Sequence, residues 1–311
     1  MKNLSLFSLF LLLALAGQPK ESNADLRNHH LIKEEINGVT CTSQKAEQTL
    51  STSKREFFAL CMDTHDSRKR SIEEQSKMLV ELGFDGVGHL WLDKLEERVA
   101  SAKASGLRVV QVYINVDLSK DPPFDPKLKE SLSCLKGGQT QLALMFYGGR
   151  PSDKSLDDKA IGIINDIVGM ADPNDVKVVL YPHVEAWIET VDDCVRLAER
   201  FPDKKVGVEF NLCHWAAIDK SENLEKTLRR ALPYLSCITI NGIDMPEEIQ
   251  SRTNREGWLQ PLDAGSFDQK KLMSILNDIG YTGPVGLQCY GISGDAKIHL
   301  ERSMKKWHEL Q

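Results

Sequence analysis

"VGVEFNLCHWAAID", Val206 to Asp219, is the stretch on which the fold turns. Its first residues alternate as a β-strand does: Val206, Val208 and Phe210 share one face, and Gly207, Glu209 and Asn211 share the other. The apolar face must pack against helices, so the face carrying a carboxylate and an amide points into a second interior. The run then passes directly into Asn211, Cys213, His214 and Trp215. In parallel α/β proteins a polar and aromatic cluster at a strand's C-terminal end is where sites are built.

Similar runs recur on both sides. Strands are predicted at 56–62, 85–90, 108–114, 141–147, 176–183, 205–211, 236–241 and 284–290. Helical patterns fill the gaps. "SIEEQSKMLVELG" (71–83) opens with a Ser71/Glu74 capping box and stops at Gly83. "LDKLEERVASAKASG" (92–106) also ends in glycine, and Thr190 with Asp193 caps another helix. Further helices are expected near 126–135, 155–170, 190–201, 222–233, 268–279 and 295–309. Strand–helix units repeated in this way over about 255 residues predict a (β/α)8 TIM barrel. A doubly wound sheet would ordinarily open with a glycine-rich phosphate turn, and "MDTHDSRKR" (62–70) has no glycine.

A TIM barrel carries its site at the C-terminal strand ends. Those ends hold Asp63, His65, His89, Tyr113, Asn115, Tyr147, Arg150, His183 and Glu185, then Glu209, Asn211, His214, Asn241, Asp244, Gln288 and Tyr290. Alternation sends Val179, Tyr181 and His183 inward on the fifth strand, Thr239 and Asn241 on the seventh, and Gly286, Gln288 and Tyr290 on the eighth. Tyr181, His183, Asn211, Asn241 and Gln288 are thereby expected to converge. His183 and His214 are the candidates for acid/base work, because imidazole titrates near neutrality. Glu209, one layer deeper, is a third, since a buried carboxylate is either paired or functional. His29, His30, His299 and His308 fall outside the predicted site and read as surface.

Lys2 precedes an apolar run, Leu4 to Ala16, interrupted only by Ser5 and Ser8. This is too short to span a bilayer and suits a secretory leader, with Ser22–Ala24 as the cleavage site. The expectation is a signal peptide over 1–24, a polar segment over 25–54 and a barrel domain over 55–311, with the protein exported to the periplasm or beyond. The net charge of −6 and the lack of a basic tract argue against nucleic acid as a partner. No later stretch is a membrane span. The 7 cysteines include no CxxC pair. Cys61, Cys213, Cys237 and Cys289 read as buried thiols, while Cys41 stands in the polar segment with no partner selected by the sequence.

The stretches "GFDGVGHL" (83–90), "LYPHVEAW" (180–187), "GVEFNLCHW" (207–215), "ITINGID" (238–244), "PLDAGSFD" (261–268) and "GPVGLQCYG" (283–291) resemble the sugar phosphate isomerase/epimerase group of xylose-isomerase-like TIM barrels. The resemblance covers about residues 56–308. It implies a carbohydrate or keto-sugar as the small-molecule ligand, and isomerisation, epimerisation or a related elimination by proton abstraction. Typical members hold a divalent metal between Glu, Asp, His and Glu on strands five to eight. Here those positions fall on Tyr181, Asn211, Asn241 and Gln288, while the family's neighbouring His and Asp are kept as His214 and Asp244. Neutral amides are poor ligands for a dication and cannot act as general bases. The implied roles are therefore acid/base chemistry for His183, His214 and Glu209, and hydroxyl recognition for His89, Tyr181, Asn211, Asn241 and Gln288. Trp187 and Trp215 are expected to stack on a sugar face. Should a metal bind, His183 and His214 are the first candidates to hold it. The alternative is a carbohydrate-binding protein that kept the pocket without the chemistry. A likeness to DNA-repair endonucleases of the same barrel type is disfavoured, because those cluster several zinc ions among many acidic ligands.

Overall fold

The computed structural model describes residues 54–202, 205–245 and 257–311. The expected signal peptide, most of the polar segment, Cys41, His29 and His30 lie outside the described residues. The strands are β1 (Phe57–Leu60), β2 (Gly86–Leu90), β3 (Arg108–Asp117), β4 (Gln141–Tyr147), β5 (Lys177–Leu180), β6 (Val206–Asn211), β7 (Leu235–Ile240) and β8 (Val285–Gln288). All neighbours pair in parallel and β8 returns to β1, so the sheet is a closed barrel. The eight expected strands are all present, within a few residues of their predicted bounds.

The helices are α1 (Ile72–Glu81), α2 (Leu95–Ala104), α3 (Leu128–Ser131), α4 (Asp157–Ala171), α5 (Val191–Ala198), α6 (Leu212–Ala216), α7 (Leu224–Ala231), α8 (Gln269–Asp278) and α9 (Ala296–Leu310). Both predicted capping boxes form: Ser71 with Glu74 on α1, and Thr190 with Asp193 on α5. The short helix α6 directly after β6 was not expected. Asn211 creates it by accepting the His214 N–H at 3.1 Å as the N-cap.

Two apolar layers result. The outer one lies between sheet and helices, where the Trp307 ring of α9 stacks on Phe57 of β1 at 4.1 Å between centroids. The inner one fills the barrel with Phe58, Leu60, Val110, Tyr113, Ala143, Met145 and Tyr181. Room for Phe58 comes from glycine: a Cβ on Gly286 would stand 2.5 Å from the Phe58 ring. Cys61, Cys213, Cys237 and Cys289 are buried free thiols, as expected. No helix of the described residues is long and apolar enough to cross a membrane.

His299 departs from its reading as a surface residue. It lies on the inner side of α9 and is only 5% exposed, and burial pushes its pKa down to about 4. The α9 periodicity places it with Leu300, Ser303 and Met304 on the buried face.

Candidate functional site

At the C-terminal end of the barrel lies a cavity of about 230 Å³. Its floor and walls are Leu60, Cys61, Tyr113, Met145, Tyr147, Tyr181, His183, Cys213 and His214, and its rim carries Leu90, Trp91, Trp258, Leu259, Gln288 and Tyr290. The His183 and His214 rings stand 4.0 Å apart between centroids, tilted by 41°. His214 also meets the edge of Tyr181, at 5.7 Å and 87°. Neither histidine is on a strand. β5 ends at Leu180, and His183 follows Pro182, held through its N–H to Ile188 O and with its Nδ1 at 2.7 Å from Val184 O. His214 is placed by α6, and so by the Asn211 cap.

Beneath the cavity is a polar network. Glu209 is wholly buried and accepts hydrogen bonds from Gln111 Nε2 at 2.7 Å, Thr239 Oγ1 at 3.1 Å and Tyr113 OH at 3.2 Å. Burial drives its pKa up to about 8, against the pull of those three donors. The Tyr113 hydroxyl has a second acceptor close by, Gln111 Oε1. One hydrogen cannot serve both, so the orientation of this hydroxyl follows the protonation of Glu209. Tyr113 also lines the cavity, so Glu209, which does not, is connected to it through one phenol. Asn211 Nδ2 donates to Tyr181 OH at 2.9 Å and to Thr239 Oγ1 at 2.8 Å, which joins the network to the two histidines.

The cavity thus unites His183, His214, Tyr181 and Gln288 of the residues expected from sequence. The others stand elsewhere, each for a physical reason. Asn211 spends its oxygen on the His214 N–H and the Cys213 thiol. Asn241 is buried and turns Nδ2 to Gly242 O and Trp258 O, fixing the loop after β7. Trp187 is 1% exposed, packs on Phe146 and donates to Asp153 O. Trp215 packs on Phe210 and donates to Asp219. Neither tryptophan reaches the cavity to stack on a ligand. His89 faces a neighbouring recess with Asp63 and Arg98, its Nε2 2.8 Å from Asp93 O, and burial lowers its pKa. Asp244 binds Gln260 Nε2 and the Ser266 N–H, and so orders a loop. Tyr113 and Tyr147, which the sequence placed among the strand-end residues without giving them a role, also line the cavity. Met145, Trp91 and Trp258 were not expected; the tryptophans belong to loops, where nothing in the pattern signals a direction.

Of the residues that the sequence resemblance sets against metal ligands, Tyr181 OH accepts from Asn211, Gln288 Oε1 accepts the Tyr290 N–H, and Asn241 Oδ1 is buried with no partner among the described residues. No three His, Cys, Asp or Glu side chains come together as a metal-binding group among the described residues.

Comparison with known proteins matches this architecture. The model of the xylose isomerase-like TIM barrel family matches residues 77–307. No curated protein matches the chain at a significant level. Solved structures resemble it at low identity. D-psicose 3-epimerase from Clostridium cellulolyticum H10 is 15% identical, over 82% of this chain and 98% of that one, with a TM-score of 0.61. 3-Keto-D-glucoside 4-epimerase from E. coli is 15% identical, over 83% and 100%, at 0.63. An AP endonuclease of family 2 from Brucella melitensis is 17% identical, over 79% and 96%, at 0.60. Such identities speak for the fold alone. The family match covers most of the chain, and the protein belongs to the xylose isomerase-like TIM barrel family.

Proposed function

We propose that this protein is an exported isomerase or epimerase of a small carbohydrate that works by proton transfer between His183 and His214 rather than on a metal-bound enediolate. The observation that carries the reading is the histidine pair, 4.0 Å apart on the floor of a closed-ended cavity. One imidazole removes a proton from the carbon beside a carbonyl. The other donates a proton to the carbonyl oxygen, giving an enediol. Return of a proton to the former carbonyl carbon, with the first carbon's hydroxyl giving its proton to the other imidazole, isomerises the sugar; return to the opposite face of the first carbon, with the new hydroxyl giving its proton back, epimerises it. Glu209 supports the cycle through Tyr113, as a buried acid whose pKa near 8 lets it hold or release a proton near neutral pH. Tyr181 and Gln288 offer hydrogen bonds to hydroxyls at the same cavity.

The residues at the family's ligand positions do not fit a dication. One phenol and three neutral amides supply no negative charge, and the oxygens of Asn211 and Gln288 already accept backbone N–H groups. Elemental analysis of protein purified without chelator is expected to find well under one divalent ion per chain. The same shortage of acidic ligands weighs against a nuclease. The apolar run Leu4 to Ala16 supports export, and mass spectrometry of the protein recovered from outside the cytoplasm should show a chain beginning near residue 25.

The decisive experiment incubates the protein with a panel of keto-sugars in D2O and follows carbon-bound hydrogen by NMR. Exchange next to the carbonyl is expected, and a loss of at least about 100-fold in His183→Ala and His214→Ala. Sugar that binds without exchange would replace this reading with the second one, a carbohydrate-binding protein built on the same cavity. That second reading draws on the neutral amides that stand where the family has carboxylates.

A further inference from the structure

Four large hydrophobic side chains stand exposed among the described residues: Val80, Trp91, Tyr290 and Ile298. Val80 and Ile298 lie on the outer helices α1 and α9. Trp91 and Tyr290 are different. Both line the cavity rim, yet 42% and 49% of their surfaces face solvent.

Their exposure is not slack. Trp91 has a left-handed backbone, φ 67°, which a bulky residue adopts at a cost, and its N–H is tied to Tyr113 O at 2.9 Å. Tyr290 is fixed from three sides. Its N–H reaches Gln288 Oε1, the next N–H, of Gly291, reaches His65 Nδ1 at 3.1 Å, and the His65 ring meets its ring edge-on at 5.4 Å. Two aromatic residues, Trp91 anchored through its backbone and Tyr290 also through its ring, therefore stand with one part against the cavity and another in water.

The cavity itself is small. At about 230 Å³ it falls below the ~300–1,000 Å³ of sites that enclose drug-sized ligands. A single sugar ring suits the inner space, and anything larger must leave it across the rim. We infer that Trp91 and Tyr290 form an outer subsite for a second ring, so that the substrate is a glycoside whose reacting sugar ring carries the carbonyl that proton abstraction needs, with that ring inside and its aglycone, a sugar or aromatic ring, lying on the two exposed aromatics. This rests on the carbohydrate reading of the cavity and narrows it from free monosaccharides to glycosides. Aromatic side chains are suited to this contact, because sugar C–H faces and aromatic rings both pack on a π-face and neither needs a charge.

The test is calorimetric titration with methyl and phenyl glycosides of glucose, galactose and xylose, in both anomeric forms. For any sugar whose methyl glycoside binds, the phenyl glycoside is expected to bind about two- to tenfold more tightly, the span given by one or two added aromatic contacts. That phenyl-to-methyl ratio should fall toward one in Trp91→Ala and in Tyr290→Ala. It should be kept in Val80→Ala and Ile298→Ala, which remove exposed apolar groups that do not line the cavity. Equal affinity for methyl and phenyl glycosides in the unaltered protein would overturn the outer subsite and leave the carbohydrate reading intact. A phenyl preference that survives both rim substitutions would also overturn it. Binding of no glycoside of either kind, with free sugars still bound, would mean that the rim is closed to a second ring. If neither free sugars nor glycosides bind, the carbohydrate reading itself falls and takes the subsite with it.

Discussion

The two halves of the barrel share one backbone plan and fill it oppositely. β1 to β4 send mostly apolar or absent side chains inward, Phe58, Leu60, Gly86, Val110, Ala143 and Met145, the exceptions being Gln111 and Tyr113 of β3, which reach across to Glu209. β5 to β8 send Tyr181, Glu209, Asn211, Thr239, Asn241 and Gln288. The first half is held by packing, which tolerates exchange of like volumes. The second is held by hydrogen bonds in a low-dielectric interior, where each broken partner leaves a desolvated polar atom. The polar half is also mostly self-satisfied. Its amides serve the protein: Asn211 caps the helix that carries His214, and Asn241 pins the loop that carries Trp258. The contrast teaches that a dense ring of polar strand-end residues need not all be ligand contacts. Here most of it is a mount for two histidines and a rim.

The largest effects should come from the polar half. His214→Ala and His183→Ala should lower turnover by at least about 100-fold while shifting the thermal midpoint little. A matching loss of stability would show that the pair is structural. Glu209→Gln probes the layer below. The folded pKa of Glu209 lies near 8, against about 4.3 unfolded, so folding favours the protonated form. The stability this gives is fully present below pH 4.3 and is lost as pH rises through 8, by on the order of 5 kcal/mol at one pKa unit per 1.36 kcal/mol. Denaturant titration across pH 5 to 9 should show that decline in the parent protein and its flattening in Glu209→Gln. A pH-independent parent would mean that Glu209 is ionised throughout, with its three donors outweighing burial.

Asn211→Asp places a carboxylate at this strand end and should cost about 1–3 kcal/mol. Asparagine donates to both Tyr181 and Thr239, whereas aspartate donates to neither. The Thr239 hydroxyl already donates to Glu209, so it cannot satisfy both carboxylates. Urea unfolding measures the loss, and a neutral or stabilising result would mean that the network repolarises freely.

How far this was legible depended on whether alternation applied. On β6 it did, and Gly207, Glu209 and Asn211 all face inward as the period of two requires. On β5 the strand stops at Leu180, yet Tyr181 and His183 beyond it both line the cavity, on the side that the alternation gave them. Cys61, Trp91 and Glu185 have positive φ without being glycine, and no residue pattern announces such a reversal. That is why Trp91 was missed at the rim, and Trp187, two residues beyond Glu185, was placed at the site when it belongs to the core. Periodicity did carry the information for His299, since the spacing His299, Leu300, Ser303, Met304 and Trp307 is a buried helical stripe.

That histidine gives a smaller prediction. With both ring nitrogens buried and unpartnered among the described residues, its pKa falls to about 4 from about 6.5. The unfolded chain then takes up a proton that the folded one refuses. Stability is unaffected above pH 6.5 and is lost as pH drops toward 4. His299→Leu should remove that acid limb in a thermal scan from pH 4 to 7 and raise stability by about 0.5–2 kcal/mol, because no polar partner is left behind.

The smallest effect is expected in the apolar half, and it is the control for the whole contrast. Met145 lies on β4, inside the barrel and against the cavity, only 6% exposed. Met145→Leu conserves volume and removes no hydrogen bond, so it should cost less than about 1.5 kcal/mol. Asn211→Leu, on the facing half, keeps the branching and the number of heavy atoms but removes every polar one. It would strand the Tyr181 and Thr239 oxygens and the His214 N–H, and should cost several times more. Urea unfolding of the two variants side by side measures the ratio. A ratio near one would mean that side-chain volume holds both halves of the barrel alike, and that the polar network contributes placement of His214 without contributing to the stability of the fold.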